Sequence, residues 1–418
     1  MFDLDKWQEI FITIKKNKLR TFLTIFGIGW GIFMIVILLG AGKGLQNGVE
    51  RDFSAIATNC GFFWSQRTTI SYGGFQPGRR ISFTNEDTDL LREKVEGMEY
   101  LAPRNRLSGW SGGDNIVHNN KTGNFTVFGD YPGYINIERF DIAEGRYLNE
   151  KDIKDERKIA IIGRNVKEVL FEQDEEAIGE YIKIQGVNFQ VVGVFDSKRT
   201  GERADRDTQT IFLPFTTFQK AFNYGNTVGW YAYLAKDGYR VSDVETEIMT
   251  ILKDKHKVHP LDMDAIGFNN VEEEFEEITG LFSGINIFTW FVGISTLLAG
   301  VIGVSNIMLI IVKERTKEIG IRKAIGATPG SIISLIIQES VFLTTIGGYV
   351  ALVIGVFLLE LAASAIPEGG DGFMGTPEID IKVAVGALGL LIIGGAIAGI
   401  LPARKAASVS PIEAIRQE

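Results

Sequence analysis

The spacing of the charges constrains this chain more than any other feature. No Asp, Glu, Lys or Arg occurs from Thr21 to Gly42, from Ile278 to Val312, from Ser340 to Leu359, or from Val383 to Ala403. Each window reaches the roughly 20 residues that a helix needs to cross the hydrocarbon core of a bilayer. Mean hydropathy is only +0.10 with 23% charged residues, so apolar and charged blocks are segregated along the chain. The expected fold class is an α-helical membrane protein with four transmembrane helices and a large α/β extracytoplasmic domain inserted between helices 1 and 2.

Lys15, Lys16, Lys18 and Arg20 precede the first window like the basic region of a signal peptide. The apolar run that follows exceeds the 7–15 residues of a signal core, so it reads as an uncleaved anchor. Cys60 is the single cysteine, which excludes an intramolecular disulfide and reads as a small buried residue in a strand. A net charge of −9 argues against a nucleic-acid partner.

Lys and Arg concentrate on cytoplasmic flanks. They crowd the first twenty residues, the stretch Lys313–Thr328 between the second and third windows, and the tail at Arg404, Lys405 and Arg416. The loop Glu360–Lys382 carries one Lys against five acids. Both termini and the 313–328 hinge are therefore expected inside, with the acidic loop and the 235 residues Lys43–Glu277 outside.

The hinge packs seven charges into its first eleven residues. Glu318 precedes Arg322 by four positions, a favourable helical pair, and Thr328-Pro329 supplies an N-cap and a first-turn proline for the next helix. A short structured helix is expected there.

The second window is 35 residues long, roughly 50 Å as a helix against about 30 Å of hydrocarbon. Phe275, Ile278 and Phe282 continue a helical stripe upstream, and Leu45, Val49, Phe53 and Ile56 do the same beyond the first window. Two helices running on past the membrane on one side make a stalk. Glu272–Glu277 reads as its solvated face. Leu4, Trp7, Phe11 and Ile14 share a face, as in a helix lying on the inner membrane surface. Gly27 and Gly31, and Gly395 and Gly399, have the spacing that permits close helix approach within or between subunits, and Gly300, Gly303, Gly347 and Gly355 are further small residues in the spans.

Three regions follow. Residues 1–57 hold the surface helix, first span and stalk. Residues 58–270 form the outer domain, with βαβ-type parts at 58–102 and 227–270 bracketing a β-rich insertion, 103–226. Residues 271–418 hold the second stalk helix, three spans, the hinge and the tail. In the outer domain a strand is expected at Cys60–Ser65, a capping-box helix from Thr84, and a helix opening at Ser242, flanked by strands at Trp230–Leu234 and His256–Met263. A hairpin is expected at Tyr181–Ile184 and Phe189–Val194, turning on Gly186-Val187-Asn188.

The residues offer little chemistry. His118, His256 and His259 are the only histidines and lack a nearby cysteine or clear carboxylate cluster, which disfavours a metal site. Gly40-Ala41-Gly42-Lys43-Gly44 lacks the first glycine and the Ser/Thr of a phosphate loop, and is expected outside. No enzyme activity and no cofactor are expected of the chain itself.

The hinge Glu314-Arg315-Thr316-Lys317-Glu318-Ile319-Gly320-Ile321-Arg322-Lys323-Ala324-Ile325-Gly326-Ala327-Thr328 resembles the signature of the MacB/FtsX-type permeases of ABC transporters. Asn306-Ile307-Met308-Leu309, the tail Leu401–Ala407 with Pro411–Ile415, and Lys18–Thr24 are similar to that family as well. So is the outer segment Ala143-Glu144-Gly145-Arg146, with Gly193-Val194. The macrolide exporter proper carries a nucleotide-binding domain ahead of its first span, where this chain has about twenty residues. The resemblance implies a permease working in the inner membrane as a homodimer or paralogue heterodimer. Two copies of a separate cytoplasmic ABC ATPase would hold ATP and Mg, and their motion would be passed to the periplasmic domain by mechanotransmission. It implies Glu314, Arg315, Lys317, Glu318, Ile319, Gly320, Arg322, Lys323 and Gly326 as the ATPase-coupling element. Efflux of a drug, peptide or other periplasmic substrate is then expected, with a periplasmic adaptor and outer-membrane channel as partners. Lipoprotein release or control of a cell-wall hydrolase is the alternative within the family, and a non-transporting membrane scaffold the alternative outside it. A sensor or enzyme lacks room in cytoplasmic pieces this short.

The topology is testable by cysteine labelling in intact cells. A cysteine placed within Ser111–Asn120 should react with an impermeant reagent and one at Thr316 should not; labelling at Thr316 would overturn the orientation.

Overall fold

The computed structural model describes residues 18–108, 113–365, 375, 377 and 381–411. The expected surface helix at Leu4–Ile14 lies outside them. The chain divides into two compact units, one holding the apolar helices and the other residues 49–280.

Among the described residues four helices are long and apolar enough to cross a membrane. They run Lys18–Ser54, Val271–Glu314, Pro329–Ala365 and Ile381–Ala407, with the hinge helix Thr316–Ala324 between the second and third. Helices are required because hydrocarbon offers no partner for backbone N–H and C=O groups. The second helix has 44 residues, about 66 Å. Small residues mark the crossings. A Cβ on Gly399 would lie 3.1 Å from Ser340 Cβ, and one on Gly31 would lie 3.2 Å from the Leu297 nitrogen. A Cβ on Gly395 would collide with Thr344. Ser340 Oγ donates to the Gly395 carbonyl at 2.7 Å, tying the third helix to the fourth. Gly300 is buried, whereas Gly27 and Gly303 face open space. Gly29, Gly293 and Gly348 also back onto neighbouring helices, and their less regular spacing hid them in the sequence.

The second unit contains a four-stranded antiparallel sheet ordered Met98–Arg106, Trp230–Ala235, Cys60–Ser65, Ile266–Asn270. Helices Asn85–Lys94 and Val241–Lys255 make the two crossovers, and both share one core with the sheet through Leu91, Val244, Ile248, Phe63 and Tyr231. Two βαβ units thus interlock in a ferredoxin-like arrangement. The strand Met98–Arg106 runs past residue 103 and pairs with Lys121–Asp130, so the sheet continues into the middle region without a break. There the long strand Val187–Ser197 pairs with Tyr181–Ile184, Ile159–Gly163 and Phe140–Gly145. Five short helices sit among these strands, each of four to seven residues. Segments so short do not hold helix by propensity alone, and tertiary packing decides them.

Three expectations need correction. His256–Met263 is no strand: His256 closes the helix Val241–Lys255, and the strand begins at Ile266. That helix opens at Val241 instead of Ser242, with its first amide donating to the Glu272 carboxylate at 2.8 Å. The hairpin turns on Gln185-Gly186, both at positive φ, with Ile184 opposite Val187. This is the two-residue turn whose twist matches the strands. In the outer motif, Gly145 and Gly193 pair across two strands, where a Cβ on either would collide with backbone oxygen.

The capping box at Thr84 forms, with the Thr84 amide donating to Asp87 at 2.7 Å. Asp87 is fully buried and also meets Lys255 at 2.8 Å and His256 at 3.0 Å, joining the two helices. Burial alone would raise its carboxyl, but hydrogen bonds from His256, Lys255 and Thr84 outweigh burial and hold it at about 2. A depressed carboxylate stabilises the fold above its unfolded value near ~3.9, and the benefit is lost as pH falls towards about 2. Asp87→Ala should cost about 2–4 kcal/mol at pH 7. The gap in unfolding midpoint between parent and variant should close between pH ~4 and ~2. A gap undiminished at the acid end would refute the ion-pair assignment.

Candidate functional site: the hinge between the second and third long helices

The second long helix ends at Glu314, and Arg315 turns the chain into the hinge helix. Thr316 Oγ1 donates back to the Lys313 carbonyl at 2.8 Å and bridges the junction. At the other end Gly326 adopts φ +105 and the Ala327 amide reaches the Arg322 carbonyl at 3.0 Å. This is a glycine-based helix stop. Thr328 Oγ1 accepts from the Ser331 amide at 3.3 Å and caps the next helix.

The charges of the hinge largely face one another. Arg315 meets Glu318 at 3.0 Å and Glu339 at 3.3 Å, and Arg322 meets Glu318 at 3.0 Å. Glu339 sits on the third long helix and is buried. It adjoins the charge-free window, one residue short of it, so sequence reading passed over it. Lys323 donates to the carbonyls of Ala407 and Val409 at 2.7 Å each and clasps the end of the fourth helix. Ile319 and Gly320 are buried, Ile319 within the same core as Val312, Ile332 and Ile336.

The structure therefore divides the sequence-derived set. Arg315, Glu318, Arg322 and Lys323 bind the hinge to its own unit, and Ile319 and Gly320 pack into it. Lys317 and Gly326 are exposed, as is Glu314, which has an interaction of its own. Two residues left out of the set complete the outer surface. Ile321 is 43% exposed and Ile325 is 81% exposed. Lys317 and Ile321 share one face of the helix, and Ile325 follows as its C-cap residue. The helical period with an apolar outer edge was the signal available in the sequence, and the charge density masked it.

The histidines take structural places. His118 is buried, stacked on Phe171 and bonded to the Tyr181 carbonyl and Glu175. His256 serves Asp87, and His259 packs edge-on to Tyr72. Burial pushes the Cys60 thiol up to about 12, so it is an inert packing residue.

Comparison with known proteins matches residues 21–251 to the MacB-like periplasmic core domain and residues 290–411 to the FtsX-like permease C-terminal domain. A macrolide export ATP-binding/permease protein MacB from Bdellovibrio bacteriovorus is 28% identical over 98% of this chain and 61% of its own length. A pyoverdine export ATP-binding/permease protein from Pseudomonas entomophila is 28% identical over 99% of this chain and 59% of its own. An uncharacterized ABC transporter permease from Methanocaldococcus jannaschii is 29% identical over 98% of this chain and 96% of its own. The chain thus spans about three fifths of the length of the first two relatives.

The Arg315–Glu339 pair is open to test by hydrogen exchange. Glu339→Ala should leave Arg315 without a buried counter-charge at a cost of about 3 kcal/mol, and amides of Ile319–Ile325 should exchange at least about tenfold faster. Glu339→Gln, which keeps an acceptor, should fall between. Unchanged exchange in both would show that the pair does not hold the hinge.

Proposed function

The chain belongs to the MacB-type ABC transporter permeases, with a MacB-like periplasmic core domain and an FtsX-like permease domain, and on that premise we propose that its hinge helix is the docking element for a cytoplasmic ABC ATPase. ATP and Mg are held by that ATPase, two copies of which serve a dimer of this chain in the inner membrane. Closure of the motor moves the hinge, and the long helices carry the motion to the periplasmic domain. The work is export of a small molecule or peptide from the periplasm. Two relatives named above are exporters of macrolide and pyoverdine, and the archaeal permease matches nearly end to end.

The observation that carries the reading is the two-sidedness of the hinge. Inward, Ile319, Arg315 and Lys323 fix it to three long helices. Outward, Lys317, Ile321 and Ile325 present an apolar edge beside a cation. Two exposed isoleucines beside a cation on an element otherwise fixed to its own unit match the apolar, charge-poor centre of an interface.

Ile321→Asp/Ile325→Asp should reduce co-purification of the ATPase by at least about tenfold, because a charge would have to be desolvated at the contact. Glu318→Ala/Arg322→Ala should act less on binding and more on hinge rigidity. Cys60 is the only cysteine and is buried, so a cysteine at Lys317 gives a clean cross-linking probe. Full ATPase recovery with the Asp pair, together with no cross-link from position 317, would place the motor elsewhere.

A further inference from the structure

A cavity of about 230 Å³ lies inside the second unit, between the Arg104 strand and residues 195–212. Phe128, Phe140, Phe195 and Phe212 line it, and the last three pack on one another with ring centroids 4.9–5.3 Å apart to make one apolar wall. A dry apolar cavity of roughly 150 Å³ is enough to hold benzene, so this one accommodates a substituted ring. Its other lining is polar: Arg104, Glu138, Arg139, Ser197, Asp207 and Thr210 among others.

The hydrogen-bond accounting of that polar side is one-sided. Glu138 accepts from the Tyr134 hydroxyl and from Arg199 at 3.5 Å. Asp207 accepts from Ser197 Oγ at 2.8 Å and from Arg199 at 3.0 Å. Both carboxylates are supplied. The donors are not. Arg104 meets Asp130 at 2.8 Å and lays its guanidinium 3.6 Å over the Tyr134 ring. Its residue is 95% buried and its Nε has no hydrogen-bond partner among the described residues. Buried donors are nearly always satisfied, and one that is not marks a strained or functional place. Arg139 sits at the cavity's rim, exposed, and its side chain has neither ion pair nor hydrogen bond among the described residues. An occupant that uses the aromatic wall, the free Nε of the paired Arg104 and the exposed guanidinium of Arg139 needs a flat apolar body and an anionic acceptor.

We propose that this cavity is a binding site for a small aromatic carboxylate, with its ring laid against the wall of Phe128, Phe140, Phe195 and Phe212 and its carboxylate towards Arg139 and the Nε of Arg104. The site stands independently of the motor reading. Its position gives it a mechanical consequence. The segment 137–139 that forms one wall also holds the chain leaving the first long helix: Ala57 N donates to the Ile137 carbonyl at 2.8 Å, and Arg139 N to the Ala55 carbonyl at 2.7 Å. Ala55 itself lines the cavity. A ligand there stiffens the contact between residues 55–57 and segment 137–139.

The test uses the full chain in lipid nanodiscs with 4-fluorobenzoate as probe, read by ¹⁹F line broadening. Saturable binding, displaced by benzoate, is expected. Benzyl alcohol, a ring of the same size without the charge, should compete about tenfold more weakly, as should benzoate against Arg139→Gln, since a charge-assisted hydrogen bond is worth about that factor. Arg139 is exposed, so this variant keeps its fold. Bound benzoate should also slow hydrogen exchange at Ala57 and Arg139 in the parent. Binding that does not saturate, equal competition by benzyl alcohol, or an affinity unchanged in Arg139→Gln would each overturn the proposal.

Discussion

Everything in this molecule follows from the rule that hydrocarbon accepts no unpaired backbone polar group. The rule forces the apolar windows into unbroken helices and leaves side-chain packing as the means of holding them together. With lipid as apolar as leucine, no hydrophobic drive brings helices together, and close approach takes over. Gly31 against Leu297, Gly399 against Ser340 and the Ser340–Gly395 hydrogen bond are the local form of that solution. Polar chemistry is pushed to the ends of the helices. There the hinge has its charges and the fourth helix its basic residues, Arg404 and Lys405.

The architecture was legible because it is written in long-range statistics. Four charge-free windows and one 235-residue interval between the first two define four spans and one inserted domain without reference to any single residue. Within that domain, Cys60–Ser65, the Thr84 capping box and Trp230–Ala235 were readable, since each carries a local chemical signal. His256–Met263 misled because its apolar residues alternate well enough to mimic a strand. Lys253, which donates to the Pro260 carbonyl, and Asp262, which accepts from the Thr69 and Ile70 amides, fold the segment into a loop. Those are tertiary contacts across up to 193 positions, and no window of sequence contains them.

The candidate sites were legible to a smaller degree for a related reason. Charge in a sequence announces exposure, and at the hinge much of it is not exposed. Glu339 lies 24 positions from Arg315, so the pair that anchors the hinge spans two helices and looks in sequence like two unrelated charges. The same holds in the outer domain, where Arg104 reads as a charge inside a strand. The structure shows a guanidinium buried among Tyr134, Phe128 and Trp230, a setting whose cost is met by ion pairing and ring contact together.

These placements bear on how a helix pair could transmit force. A lever passes motion only if its end is rigid relative to what pushes it. A surface ion pair contributes at most about 1 kcal/mol, too little to hold such an end rigid. The hinge does not rely on one. Ile319 in the core, Arg315 on a buried carboxylate and Lys323 on two carbonyls restrain a nine-residue helix at its beginning, middle and end. Its outer edge remains apolar and unencumbered at Ile321 and Ile325. The charge density that first draws the eye thus serves mainly to fix the element from within, and Ile321 and Ile325 are left on its outer side.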